Sequence, residues 1–143
     1  MIDDRLPPTY LSADEVRAGI ERLEQDMSGG QRILDCSATL KRLEGDSELF
    51  QDLLGFFYAD APQHVAGIRA AIRSGDAAAL RRSAHALKGL VSNFNAWPTI
   101  ERAAELEQLG TDGDLAEAAK VVPLLDQEFD RLRRALAEHF PSQ

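Results

Sequence analysis

The sequence predicts an all-α protein: an antiparallel up-and-down four-helix bundle with additional short helices at its N-terminal end. Three observations support this fold class. Ala, Leu, Glu and Arg dominate the chain, whereas β-branched residues are sparse. Apolar residues recur at steps of three and four rather than at alternate positions. The connections between apolar stripes are short, which favours antiparallel neighbours in a bundle.

Composition limits the class of protein and of partner. The chain has 143 residues, of which 44% are hydrophobic and 28% charged, as in a globular domain with one core. No apolar run is long enough to span a membrane. The net charge of −8 argues against nucleic acid or an anionic membrane surface as the main partner. The lone Cys36 and an N-terminus without a secretory pattern lead us to expect a cytoplasmic protein.

Two short helices are expected before the bundle. Ser12 and Glu15 have the spacing of a capping box, and Gly29–Gly30 is expected to end the helix that follows. Asp35 is expected to cap a second short helix, which Gly45 closes. The first of these helices carries a stripe formed by Val16, Ile20, Leu23 and Met27. We therefore divide the chain into residues 1–32, an N-terminal lead with an extra amphipathic helix or linker, and residues 33–140, the bundle.

The longest helix is expected to begin after Asp46 and to stop at Gly75. Because Pro62 removes a hydrogen bond and crowds the carbonyl of Tyr58, we expect a kink between these two residues. The apolar stripe of this helix consists of Phe50, Leu53, Leu54, Phe57, Ala61, Val65, Ile68 and Ile72.

The next helix, which Asp76 is expected to cap, is expected to end near Asn93–Asn95 because Asn tolerates a left-handed backbone. Its buried stripe is formed by Leu80, Ala84, Leu87, Val91 and Phe94. His85 falls beside that stripe, so we expect an imidazole on the helix surface.

Two further helices complete the bundle. Pro98 suits the first turn of a helix that continues to Leu109. Gly110–Gly113 is predicted to be a turn, and Asp112 or Asp114 is expected to cap the last helix. The predicted buried face of that helix consists of Leu115, Ala119, Val122, Leu125, Phe129, Leu132, Leu136 and Phe140.

The surroundings of His85 in the sequence favour phosphoryl chemistry. Arg81, Lys88, Gly89 and Ser92 lie one or two turns away, and no acid occurs between Asp76 and Glu101. These positions predict a local positive patch on an acidic chain. A neutral imidazole is a good nucleophile near pH 7, and phosphoryl transfer needs chiefly positioning, access and nearby positive charge.

No other constellation competes with this one. The sequence has no Gly-rich phosphate loop, no H-E-x-x-H or CxxC pair and no G-x-S-x-G. Asp112 and Asp114 lack the glycine and glutamate of a calcium loop and are interpreted as turn or cap residues. His64 and His139 are interpreted as ordinary surface or partly buried side chains. We therefore expect no metal site.

The residues AHALKG at Ala84–Gly89, followed by SNFNA at Ser92–Ala96, resemble the histidine-containing phosphotransfer (HPt) domain. Domains of this family are helical bundles that carry phosphate in bacterial two-component phosphorelays. Leu40–Asp46 and Leu106–Glu107 also resemble the family, and the similarity covers about residues 33–140. Asn95 stands where the family often has glycine, and since Asn tolerates the same backbone region we expect the turn to survive.

The resemblance implies a role for each residue around the histidine. His85 would be phosphorylated, Lys88 would steady the phosphoryl group and Gly89 would leave room for a docking partner. Arg81, Arg82 and Ser92 would contact that partner.

The resemblance also implies the partners, a receiver domain and a hybrid histidine kinase. Mg²⁺ would come from the receiver, so this chain would bind no cofactor. We expect a monomeric phosphate carrier without autonomous ATP-dependent kinase activity. Two alternatives stay open. One is the dimerisation and phosphoacceptor domain of a sensor kinase, in which an acid typically follows the histidine, whereas Ala86 follows His85. The other is a non-catalytic helical adaptor.

Overall fold

The computed structural model describes residues 10–27 and 32–141, and within these residues it contains six helices and no strand. The helices are α1 (Ala13–Asp26), α2 (Cys36–Arg42), α3 (Ser47–Ser74), α4 (Ala77–Ser92), α5 (Trp97–Asp112) and α6 (Leu115–His139). The predicted all-α class, with two short helices preceding four longer ones, is confirmed. None of the described helices is both long and apolar enough to cross a membrane.

Aspartates set the start of four helices. Asp35, Asp46, Asp76 and Asp114 each accept a hydrogen bond from the backbone N–H three residues further on. The structure thus selects Asp114, not Asp112, as the cap of α6. The other predicted signals are also confirmed. They are the capping box of Ser12 and Glu15, the left-handed Gly75 at the end of α3 and a proline in the first turn of α5.

The four longer helices pack in chain order, with α4 against α3 and α5, and α5 against α6. The circle is nearly open between α3 and α6, which touch over few residues, and α1 packs against both of them. Val16, Ile20 and Leu23 of α1 are buried in the same core as the bundle residues. α1 therefore closes the seam between α3 and α6. The predicted division between residues 32 and 33 stays a prediction.

The predicted turn at Gly110–Gly113 is wrong for its first three residues. Helix α5 continues to Asp112, and the left-handed Gly113, with a φ of 75°, ends it. A β-carbon on Gly110 would lie 2.7 Å from the backbone nitrogen of Arg81 and 3.0 Å from the carbonyl oxygen of Ala77. Gly110 is thus a packing residue that lets α5 approach the backbone of α4.

Two further expectations change in detail. Early in α6 the buried residues are Ala118 and Val121, whereas the predicted Ala119 is exposed and Val122 only partly buried. The α1 helix ends at Asp26 with Met27 as its C-cap, and Gly29–Gly30 lies outside the described residues. Helix α3 runs without interruption through Pro62, and the kink there stays a prediction.

Candidate functional site

Helix α4 holds His85 on its outer surface. The side chains of Leu80, Ala84, Leu87 and Val91 are fully buried, as predicted. His85 follows Ala84 in the helix and is therefore turned away from the core, with 68% of its side chain exposed. The predicted exposed histidine is confirmed.

Small residues fix α4 between its neighbours. A β-carbon on Gly67 of α3 would lie 2.7 Å from the hydroxyl oxygen of Ser83, and Gly110 of α5 approaches the backbone of Arg81 equally closely. Both contacts are within one turn of His85. Close contact on two sides holds the histidine on a rigid support.

An acidic residue from α5 contacts both His85 and Lys88 of α4. Glu107 has one carboxylate oxygen 2.8 Å from Nδ1 of His85 and the other 2.6 Å from Nζ of Lys88. Its side chain is 21% exposed. The hydrogen bond from Lys88, followed by that from His85, lowers the pKa of Glu107 although partial burial opposes the shift. Glu107 is therefore an ionised carboxylate at neutral pH.

This contact determines which imidazole nitrogen is reactive. An ionised carboxylate only accepts hydrogen bonds, so Nδ1 of His85 carries the proton. In the neutral ring the lone pair then lies on Nε2, which hydrogen-bonds to no residue that the structure describes. The site thus presents an unprotonated ring nitrogen on an exposed side chain, as nucleophilic chemistry requires.

The predicted positive patch is only partly correct. Arg81 and Arg82 are exposed and form no ion pair with any residue in the described ranges. Lys88, however, is neutralised by Glu107, which lies 22 residues from His85 in the chain. The stretch between Asp76 and Glu101 contains no acid, so the sequence around His85 gave no indication that α5 supplies a carboxylate. The sequence indicated Glu107 only through the family resemblance at Leu106–Glu107, which implied no role for this carboxylate.

The remaining predicted residues differ in how they are placed. A β-carbon on Gly89 would meet no atom within 4 Å, so the surface beside His85 is open. The hydroxyl of Ser92 donates to the carbonyl oxygen of Lys88 at 2.6 Å. Because that bond uses its proton, Ser92 is left with acceptor capacity only.

Asn95 takes the left-handed conformation expected of it, with a φ of 53°. Its side-chain amide donates to the carbonyl oxygen of Asp35 at 3.1 Å and to the hydroxyl oxygen of Thr39 at 3.2 Å. The buried Thr39 donates in turn to the carbonyl oxygen of Asn93 at 2.6 Å. These bonds tie the turn after α4 to α2, so the asparagine contributes contacts that glycine lacks.

The other described histidines lie apart from this site. His64 belongs to α3 and is partly buried. His139 is mostly buried and has Nε2 2.8 Å from a carboxylate oxygen of Asp26, which joins α6 to the end of α1. Asp26, Glu138 and His139 bring ligand atoms within 4.8 Å of one another, but both acids are exposed. We interpret the group as a structural contact.

Comparisons with known proteins give one consistent result. The family model described as the Hpt domain matches residues 52–135, more than half of the chain. The crystal structure of histidine-containing phosphotransfer protein B (HptB) from Pseudomonas aeruginosa PAO1 superimposes with a TM-score of 0.69. The two sequences are 28% identical, and the match covers 80% of this chain and 100% of that one. The comparison with curated proteins gave no match.

Proposed function

The chain belongs to the Hpt domain family, whose members relay phosphoryl groups between histidine kinases and receiver domains, and from that premise we propose that His85 is its phosphoacceptor. The protein is accordingly a histidine phosphotransfer protein of a phosphorelay. The observation that carries the assignment of His85 is the 2.8 Å contact between its Nδ1 and a carboxylate oxygen of Glu107. Because the carboxylate accepts the Nδ1 proton in a hydrogen bond, we infer that Nε2 is the free nucleophile.

The transfer step follows from this arrangement. The Nε2 lone pair of His85 attacks the phosphorus of the receiver's phosphoaspartate, and the bond from phosphorus to the aspartate oxygen breaks. The bonding electrons leave with the aspartate carboxylate. The ring, now bonded to phosphorus at Nε2 and to hydrogen at Nδ1, carries a positive charge that the carboxylate of Glu107 stabilises. The reverse step returns the phosphoryl group to the aspartate.

Lys88 and Glu107 have complementary roles in this proposal. Before transfer, Glu107 binds both Lys88 and the imidazole. The incoming phosphoryl group offers Lys88 a second anionic partner, and its flexible stem allows the ammonium to turn toward the new oxygens. Glu107 then remains with the positively charged ring. One carboxylate thus orients the nucleophile, and one lysine steadies the transferred group.

We assign the docking contacts to Arg81, Arg82 and Gly89, with Ser92 at the edge as an acceptor. The two exposed arginines suit a negatively charged surface, and Gly89 leaves the space beside the imidazole free. We assign Mg²⁺ to the receiver, because Glu107, the carboxylate in contact with His85, is already bonded to two donors. The residues around His85 do not fit a magnesium site.

We further propose that the protein acts in the cytoplasm as a monomer between a hybrid histidine kinase and a receiver, without ATP-dependent activity of its own. The buried free thiol of Cys36, whose pKa is raised by burial, suits a reducing compartment. The acid that contacts His85 comes from α5, not from the position after the histidine that is typical of a kinase phosphoacceptor domain.

The test is phosphotransfer from a phosphorylated receiver. We expect the protein to acquire acid-labile, alkali-stable phosphate, and His85→Gln to abolish it, because glutamine lacks the nucleophilic ring nitrogen. His64→Gln, on α3, is the matched control and should label normally. Labelling that survives in His85→Gln would refute the site, whereas no labelling across the receivers of the same cell would favour a non-catalytic adaptor.

A further inference from the structure

A groove with a volume of about 310 Å³ lies between α1 and α2. Its lining comes from these two helices and from the turn that follows α2. No lining residue belongs to α4 or α5, the helices that carry His85 and Glu107. A volume at the lower end of the range of ligand pockets suits a small molecule. The groove is therefore a candidate binding site separate from the histidine.

The floor of the groove is apolar, and its two ends differ. Ile20 of α1 is 4% exposed, and Leu40 of α2 is partly buried against the core. At one end the hydroxyl of Ser37 donates to the carboxylate of Glu24, which joins the start of α2 to the last turn of α1. At the other end a β-carbon on Gly45 would meet no atom within 4 Å. The groove is thus closed at the first end and open at the second.

The walls of the groove carry opposite charges that do not neutralise each other. Glu21 is exposed on α1 and Lys41 is exposed on α2, and both line the groove about one helical turn from its closed end. Neither forms an ion pair or a side-chain hydrogen bond with any residue that the structure describes. Arg17, which also lines the groove, is paired with Asp14 at 3.3 Å. One carboxylate and one ammonium group thus remain to bind a ligand.

We propose that this groove binds a free α-amino acid with an apolar side chain. The carboxylate of the ligand accepts hydrogen bonds from Lys41, and its ammonium group donates to Glu21. Its side chain packs on Ile20 and Leu40. An α-amino acid carries these three groups on a single carbon, so it matches all three kinds of lining. An apolar anion would instead leave Glu21 facing a negative charge, and an apolar amine would leave Lys41 facing a positive one.

The binding test uses L-leucine as the probe. Amide chemical shifts of the full chain are followed during titration of wild type, Glu21→Gln, Lys41→Gln and the matched control Lys120→Gln on α6. We expect leucine at millimolar concentration to shift amide signals of α1 and α2 and to raise the melting temperature of the wild type by mass action. Each groove variant should raise the Kd about 3- to 10-fold, and the control should leave it unchanged. Thermal unfolding without leucine checks that each variant is folded.

Two analogues of leucine test the contact assigned to each charge. Leucinamide lacks the carboxylate, so Lys41→Gln should leave its Kd unchanged. N-acetyl-leucine lacks the ammonium group, so Glu21→Gln should leave its Kd unchanged. Both analogues should bind the wild type more weakly than leucine does. Glycine, which offers no side chain to the apolar floor, should also bind more weakly.

The outcomes that contradict the proposal are distinct from those that concern the histidine. Absence of leucine-dependent shifts in α1 and α2 would overturn the proposal, and so would either analogue or glycine binding the wild type as tightly as leucine. Phosphate transfer to His85, measured without leucine, should be equal in all four proteins. Failure of the wild type to be labelled while leucine still binds would instead refute the assignment of His85 and leave the groove intact.

Discussion

Glu107→Gln tests the mechanism most directly, because glutamine keeps the size of the side chain and removes its charge. An amide oxygen can accept from His85 or from Lys88 but no longer attracts both as an anion. Hydrogen bonds to charged groups contribute about 1.5–3 kcal/mol and neutral ones about 0.5–1.5 kcal/mol. The contact to the ring, at 2.8 Å on a side chain that is 21% exposed, should therefore lose about 1–1.5 kcal/mol. That loss falls mainly on the transition state, in which the ring becomes positive.

The expected result is transfer from the receiver to His85 slowed about 5- to 13-fold. The measurement is single-turnover transfer followed by the appearance of phosphohistidine. Because the substitution also releases Lys88, the comparison is repeated in a Lys88→Ala background, where the ring contact alone changes. Glu105→Gln, which removes an exposed acid paired with Arg102 on the same helix, is the matched control. A Glu107→Gln rate within about twofold of the parent in both backgrounds would refute the role of Glu107.

The difference in unfolding free energy between wild type and Glu107→Gln is expected to depend on pH. Because the pKa of Glu107 is lowered in the folded protein, the unfolded chain binds more protons as acid is added. The stabilisation that Glu107 contributes is thus complete above its unfolded pKa of about 4.3 and is lost as the pH falls through the lower folded value. Urea unfolding should show the gap between wild type and Glu107→Gln narrowing below pH of about 4. A gap that stays constant would contradict the assigned ion pair.

Two further predictions concern backbone positions near the site. Gly110→Ala should destabilise the protein by about 1–3 kcal/mol in urea unfolding, because its β-carbon would meet the backbone of Arg81, whereas Gly89→Ala, in open space, should stabilise it by up to about 1 kcal/mol. Equal effects would contradict the close approach of α5 to α4. Asn95→Gly should cost about 1 kcal/mol by losing the bonds to Asp35 and Thr39, and Asn95→Ala about 2–3 kcal/mol by adding left-handed strain. A neutral Asn95→Gly would show that those bonds contribute nothing.

Local signals accounted for most of the fold. Aspartates followed by apolar stripes predicted the start of four helices, because an N-cap bond spans only three residues and is visible in sequence. The apolar stripe around Ala84 also predicted that His85 lies outside the core, because helical periodicity is visible within a few residues of sequence. The turn predicted at Gly110 was wrong because Gly-Thr-Asp-Gly has turn chemistry, whereas its first glycine is needed where two helices approach. The sequence holds no local mark of such an approach.

The candidate site was only half visible in the sequence. His85, Lys88 and Gly89 share one helix, and their spacing showed them as a group. Glu107 joins them from α5, and only the packing of α4 against α5 brings it within hydrogen-bond distance. Early in α6, Ala118 and Ala119 have the same hydropathy, so the sequence does not distinguish which of them is buried. The packing of α6 against its neighbours sets the rotation of the helix, and Ala118 is the buried one.

Helix α1 closes the seam between α3 and α6, whereas His85 stands where α4 meets α5. The contacts of α1 that complete the core and the proposed phosphotransfer surface at His85 therefore lie on opposite flanks of the molecule. We therefore expect substitutions along α1 to raise or lower the melting temperature without altering the proposed phosphotransfer surface. A fluorescent label or a surface tether attached near α1 would likewise leave the surface around His85 accessible. Helix α1 is therefore a suitable attachment site for measurements of phosphotransfer.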